Sequence, residues 1–365
     1  MKDRSGARHL TQIGGCPEFA NAVHPNLNGR HLFGKGWSRR AMRAAGDKKM
    51  TVTSKFGSLL ICGALLAGFW AAEAQAAATG SFQQTISLDE AVLLNVSTGS
   101  GTINIRAGAP GQVEIIGHIK VRRGSFLGLF KTSSDEMQAF VDRFESEPPV
   151  ILADGRLQVG HVRGNRYGRN VSISYEIVVP VDTEVKSHTG SGSQEISGVS
   201  GPVAVDTGSG RLTLTDVGGA VSARSGSGSI TANGIAGSFE AHTGSGRVRL
   251  NQASPGDVIV TTGSGSSELH GVVGALRVKA GSGRIVVDGQ QTGAWKLDTG
   301  SGSVKVSLPT DAAFELHAES GSGSINIEHP LTIQGKISKR HLRGKVRGGG
   351  ELLTIDTGSG SIRVE

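Results

Sequence analysis

The chain has 365 residues, a formal charge of +7, 56 Gly, 2 Cys and 4% aromatic residues. Residues 1–76 hold 11 Lys and Arg against 4 Asp and Glu, and the rest holds 27 of each, so the surplus lies in the leader and a nucleic-acid footprint is excluded for the body. Cys16 and Cys62 both lie in the leader, which excludes disulfides, cysteine-ligated zinc and cysteine catalysis from the body.

Residues 1–49 read as an extension ahead of an alternative start at Met50. Residues 56–72 are uncharged and mostly apolar, Lys48, Lys49 and Lys55 precede them, and Ala74-Gln75-Ala76 follows. That order predicts a secretory signal peptide over 50–76, cleaved near Ala76. The competing reading is a retained anchor, for which the run is slightly short of the ~20 residues of a span. Cys62 sits inside the apolar run, which argues against a lipoprotein. The mature chain is therefore expected to be exported: periplasmic, at the cell surface or extracellular.

Residues 77–180 read as one repeat unit around Gly99 plus an N-terminal cap. A strand is predicted over 113–121. Met137, Phe140, Val141 and Phe144 then share one helical face, Ser133 with Glu136 makes a capping box, and Pro148-Pro149 stops the helix. Residues 150–180 return to strands that end in Val171–Pro180.

Residues 181–365 are a repeat array. Gly-Ser-Gly begins at Gly99 and Gly190 and, from Gly190, recurs at spacings of 18, 18, 18, 19, 18, 19, 21 and 37, the last suggesting a hidden degenerate repeat near Lys339–His341. Five residues before each triplet stand Leu94, Val185, Val203, Val221, Phe239, Val258, Leu276, Trp295, Leu316 and Leu353. Six after it stand Ile105, Ile196, Leu214, Ala232, Leu250, Leu269, Val287, Val306, Ile327 and Val364. Positions three before and four after are mostly apolar, with Ser187, Gln194 and Ser267 as exceptions. Polar residues alternate between them. Period-two alternation on both sides of a glycine turn predicts two short strands per repeat, each with one buried face. Nine residues after the origins from Gly190 to Gly263, Val199, Val217, Ile235, Ala253 and Val272 are expected to plug the far corner. One unit cannot bury its own apolar face but a stack can, at ~4.8 Å per rung. The predicted fold is all-β, a parallel β-solenoid of about 18-residue rungs, with a small α+β cap. A meander of hairpins is the alternative. Thr189, Thr207, Ser225 and Thr243 would ladder at the corner, and the last rung, ending at Glu365, would lie uncovered.

The run from Tyr175 to Gly219, YEIVVPVDTEVKSHTGSGSQEISGVSGPVAVDTGSGRLTLTDVGG, with the closing TGSGSIRVE, resembles a bacterial family of candidate adhesins. That family is a domain of unknown function built from TGSG β-strand repeats. The resemblance covers roughly residues 80–365. It implies a β-solenoid at the cell envelope with adhesion as its role, and carries over no catalytic residue.

Asp-Thr-Gly-Ser at Asp206, Asp298 and Asp356 has the look of an aspartic-protease site, but the same repeat position holds His188, Arg224, His242, Thr261, Lys279 and Glu319 elsewhere. Counted along the chain, the three aspartates fall several rungs apart, too far to share a proton. The Gly-Ser-Gly turns complete no phosphate-binding motif and read as corners that need glycine's free φ. His188 and His242 fall three rungs apart, too far to share a metal. No cofactor and no catalytic residue is expected.

The candidate site is a basic segment, Lys336, Lys339, Arg340, His341, Arg343, Lys345 and Arg347, which contains no acid and suits an anionic glycan or another anionic envelope polymer. A weaker candidate, residues 122–131 (RRGSFLGLFK), would touch a membrane surface. The functional expectation is a non-enzymatic envelope-binding solenoid. The alternatives are self-assembly through the C-terminal rung, an envelope-stress regulatory partner, and a polysaccharide-acting β-helix enzyme, which would need carboxylates clustered on adjacent rungs.

Overall fold

The computed structural model describes residues 77–365 apart from 89–91, 123–124, 127–129, 132, 161–170 and 334–337. The segments read above as an extension and a signal peptide, and Lys336, therefore lie outside the described residues. The fold is a β-solenoid in which Gly-Ser-Gly turns join two strands, and these strands pair in parallel with their counterparts in neighbouring rungs. On the face before the turn, Val185 is the Cα partner of Val203, Val203 of Val221, Val221 of Phe239 and Phe239 of Val258. On the face after it, Ile196 partners Leu214, Leu214 partners Ala232, Ala232 partners Leu250 and Leu250 partners Leu269.

This register places like residues above like and turns the alternation of each strand into a continuous core. Val185, Phe239, Val258, Trp295 and Leu353 from one face, with Ile196, Leu250, Val287 and Val364 from the other, are all buried. Fully burying such an aliphatic or aromatic side chain contributes roughly 1.5–3 kcal/mol. The polar exceptions Ser187 and Gln194 belong to one rung and pair with each other: the serine hydroxyl donates to the Gln194 amide oxygen. The Gln194 amide nitrogen donates to the carbonyl of Asp206 at 2.6 Å. At the far corner Val199, Val217, Ile235 and Val272 are buried. Ala253 is not, because the register slips there and Gln252 pairs with Ile235.

The glycines of the turns are required by close stacking and not by φ. None of the Gly-Ser-Gly glycines from Gly190 onward occupies the left-handed region. A Cβ on Gly210 would instead stand 1.7 Å from the carbonyl oxygen of Gly192, and one on Gly208 2.4 Å from that of Gly190. The same clash recurs rung after rung, which corrects the expectation that these corners use glycine's conformational freedom.

The spatial order of the rungs departs from chain order at both ends. The strand Leu93–Thr98 lies between Arg156–Val159 and Glu184–Thr189, and Ile103–Gly108 lies between Val171–Pro180 and Gln194–Ser197. At the other end, Glu351–Thr357 pairs with the strand Ile285–Thr299 on one side and Phe314–Ser320 on the other. Ile362–Val364 likewise sits between Val304–Ser307 and Ile325–Ile327. The C-terminal repeat is thus an interior rung, and the expectation that it ends the stack uncovered is overturned.

The cause is the 37-residue gap, which is not a degenerate repeat. Its strand His341–Val346 runs antiparallel to Phe314–Ser320, with Leu331–Ile333 antiparallel beyond it. Arg347, Gly348 and Gly349, at φ of 48°, 90° and 93°, then turn the chain back so that its last repeat enters the stack.

At the N-terminal end the predicted helix, α1, spans Ser134–Ser146 and has both bonds of its Ser133–Glu136 capping box. Met137, Val141 and Phe144 are its buried face, packed on the strands Ala77–Ser87 and Gln112–Arg122.

Candidate functional site

The site begins at the turn. Thr189, Thr207, Ser225, Thr243 and Ser320, each just before a Gly-Ser-Gly, are buried, accept from the N–H of the triplet's second glycine and donate to the equivalent glycine carbonyl of a neighbouring rung. Thr243 shows both bonds, 3.1 Å from Gly246 N and 3.0 Å to Gly228 O. At the C-terminal end the ladder follows spatial order: Thr357 donates to Gly302 and Ser320 donates to Gly360. Each hydroxyl satisfies one donor and one acceptor that the turn would otherwise bury unpaired. It also fixes the direction of the outward residue just before it.

Those outward residues form a row across the strands. From His188 it runs through Asp206, Arg224, His242 and Thr261 to Lys279. It continues through Asp298, Asp356, Glu319 and His341. Threading the last repeat into the stack places three carboxylates on consecutive strands. The expectation that Asp298 and Asp356 fall several rungs apart is therefore corrected: they are Cα partners on adjacent strands. Burial, then the Asp298 carboxyl beside it, hold the Asp356 carboxyl above the ordinary carboxylate range, against the pull of Lys296. The row opens into a cleft of about 880 Å³ lined by Lys279, Asp298, Asp356, Glu319 and Thr261. The visible signal was Asp or Glu at one repeat position in three late repeats; what was hidden was the order of the rungs. His188 and His242 remain three strand spacings apart, as expected.

The basic segment forms the neighbouring end of the stack. Lys339 and Arg340 are exposed just before the strand His341–Val346. His341 faces Glu319 at 3.5 Å. Arg343 lies opposite His317, and Lys345 lies opposite Glu315 and, on its other side, Thr332. Arg347 is held away from this group, its Nη2 donating to the Thr310 carbonyl at 2.8 Å. Lys339, Arg340, Arg343 and Lys345 have no ion pair with any described residue. The structure thus gathers His341, Arg343 and Lys345 on one strand, keeps Lys339 and Arg340 beside them, and sends Arg347 elsewhere. In the weaker candidate, Ser125–Phe126 and Phe130–Lys131 form an antiparallel ribbon. Its side chains lie outside the described ones. Among the described residues, no helix is long and apolar enough to cross a membrane.

No curated protein matches the chain. A solved structure of a candidate cell adhesion protein from Clostridium sporogenes ATCC 15579 is similar at 14% identity, covering 79% of this chain and 99% of that one with a TM-score of 0.18. Another, of a candidate adhesin from Bacteroides fragilis NCTC 9343, is similar at 12% identity, covering 78% and 97% with a TM-score of 0.34. The profile of the Toastrack DUF4097 family matches residues 154–365. With more than half of its length matched, the chain belongs to the Toastrack DUF4097 family.

Proposed function

We propose that this chain is an exported, non-enzymatic binding protein of the cell envelope that holds a surface glycan or other anionic envelope polymer at the basic end of its solenoid. One observation carries the reading: Lys339, Arg340, Arg343 and Lys345 stand together with no ion pair to any described residue, on a body with no net charge. Only Glu315 and Glu319 oppose them on the neighbouring strand. Such a cluster attracts polyanions through a field that salt screens within about 8 Å at physiological ionic strength. The test is co-sedimentation of the purified protein with isolated bacterial envelopes across a salt series, beside a variant with Lys339, Arg340 and Arg343 changed to Ser. Binding that weakens with salt and is lost in the variant supports the reading. Binding indifferent to both overturns it.

The row of Asp298, Asp356 and Glu319 favours a second reading, polysaccharide cleavage on a β-helix. Carboxylates on adjacent strands are the arrangement such an enzyme needs, one holding a proton while another is ionised. Release of reducing ends from acidic polysaccharides, abolished by Asp356→Asn, would favour this reading over binding alone.

A further inference from the structure

We infer that the Gly-Ser-Gly edge of the solenoid is a second binding surface, for an extended acidic polysaccharide with one carboxylate on every second sugar, read by Arg211, Arg247 and Arg284. This surface lies on the repeats themselves and does not rest on the basic end strand.

The residue just after each triplet carries the argument. Backbone hydrogen bonds place Ser193, Arg211, Ser229, Arg247, Ser266, Arg284 and Ser303 on successive rungs in that order. Arginine and serine therefore alternate, and the three arginines stand two strand spacings apart, about 9.6 Å. All three are exposed. Serine serves the same position in the intervening rungs, so the fold does not require arginine there. Arginines on every rung would stand about 4.8 Å apart and repel one another. Alternation instead leaves a slot over each intervening serine.

The middle serines of the triplets, Ser209, Ser227, Ser245, Ser264 and Ser282, run alongside as an exposed row of hydroxyls. Around Arg247 the two rows bound a groove of about 470 Å³. A hexose in an extended β-linked chain advances by close to one strand spacing. A polymer lying along the solenoid axis would keep its sugars in step with the serines and every second carboxylate in step with an arginine. No aromatic ring occupies these rows, so charge and hydroxyl contacts would select the ligand rather than ring stacking.

Arg247 already shows the chemistry. Glu268 accepts from Arg249 at 2.8 Å and stands 3.8 Å from Arg247. An arginine at this repeat position thus stands within ion-pair reach of a carboxylate. Arg211 and Arg284 have no ion pair with any described residue.

The test is affinity of the full chain for hyaluronan, polygalacturonate and dextran of matched length. Hyaluronan carries one carboxylate per two sugars, polygalacturonate one per sugar, and dextran none. Hyaluronan is expected to bind best and dextran not at all. Arg247→Ser, which installs the residue found in neighbouring rungs, should weaken hyaluronan binding about tenfold, the loss of one charge-assisted contact. The double variant Ser229→Arg with Arg247→Ser keeps the charge and breaks the period, and it should bind hyaluronan no better than Arg247→Ser alone. Wild-type affinity in that double variant would overturn the inference, because charge without spacing would then suffice. In a background with Lys339, Arg340 and Arg343 changed to Ser, which removes the end strand's share, hyaluronan binding that still depends on Arg247 is expected. Its loss in that background would assign binding to the end strand, ending this inference while leaving the earlier reading in place.

Discussion

Asp298 and Asp356 stand opposite each other on adjacent parallel strands, although the strand Phe314–Ser320 and a whole hairpin separate them in the chain. Glu319 flanks Asp356 on its other side. The cost of this crowding should appear as a pH dependence. The Asp356 carboxyl titrates above its ordinary range, so its contribution to stability is complete below about pH 3.9 and is lost as pH rises through the higher folded value. Asp356→Asn should therefore raise the melting temperature at pH 7 and leave it little changed at pH 4. An equal shift at both pH values would contradict the raised titration of Asp356.

The turn glycines separate stacking from conformational freedom. A Cβ at Gly228 would lie 1.7 Å from the Gly210 carbonyl oxygen and 2.6 Å from its carbon. Gly228→Ala should cost about 3 kcal/mol or more. Ser227→Ala, one residue away and exposed, should stay within about 0.5 kcal/mol. Denaturant unfolding of the two variants gives the comparison.

The hydroxyl ladder has a natural gap at Ala280, which is buried where neighbouring rungs carry Thr262 and Thr299. Ala280→Thr should add the missing bonds, to the Gly265 carbonyl and from the Gly283 N–H, and raise stability by about 1 kcal/mol. Thr243→Ala removes two existing bonds and should lower stability by a similar or larger amount. Thermal melts with opposite signs would confirm that the ladder stabilises the stack.

Tyr175 is buried against Phe82, and its hydroxyl has no hydrogen-bond partner among the described residues. Burial drives its ionisation well above the ordinary tyrosine value. Tyr175→Phe keeps the ring packing and removes the unpaired group, so a gain of about 1 kcal/mol is expected by chemical denaturation. A loss of that size would mean that the hydroxyl is in fact paired.

Much of the fold is written in the residues themselves. The alternation around Gly-Ser-Gly specifies two strands per rung, and the Thr and Ser before every triplet but the one at Gly281 mark the ladder. Ser133 with Glu136 marks the start of α1. The order of the rungs is not written in this way. Inward residues are aliphatic in nearly every repeat, so Leu353 packs as well between Trp295 and Leu316 as it would at the end of the stack. Only the long gap signals a departure, and its length alone does not separate a degenerate rung from an antiparallel hairpin. The acidic row was hidden for the same reason, since Asp356 meets Asp298 only once the last repeat is threaded inward. The basic segment was visible as charge. Its division into a strand carrying Arg343 and Lys345 and a tethered Arg347 depends on the hairpin register and the Thr310 contact.

The threading of the last repeat can be tested by cross-linking. In a chain with Cys16 and Cys62 replaced by Ser, Lys296→Cys with Thr354→Cys places two thiols on Cα partners of adjacent strands. Lys296→Cys with His317→Cys places them two strands apart, about 9.6 Å and beyond the ~7 Å that a disulfide spans. The threaded arrangement predicts rapid oxidation of the first pair and none of the second. A disulfide between positions 296 and 317, with positions 296 and 354 left reduced, would mean that the rungs stack in chain order and that the acidic row does not exist.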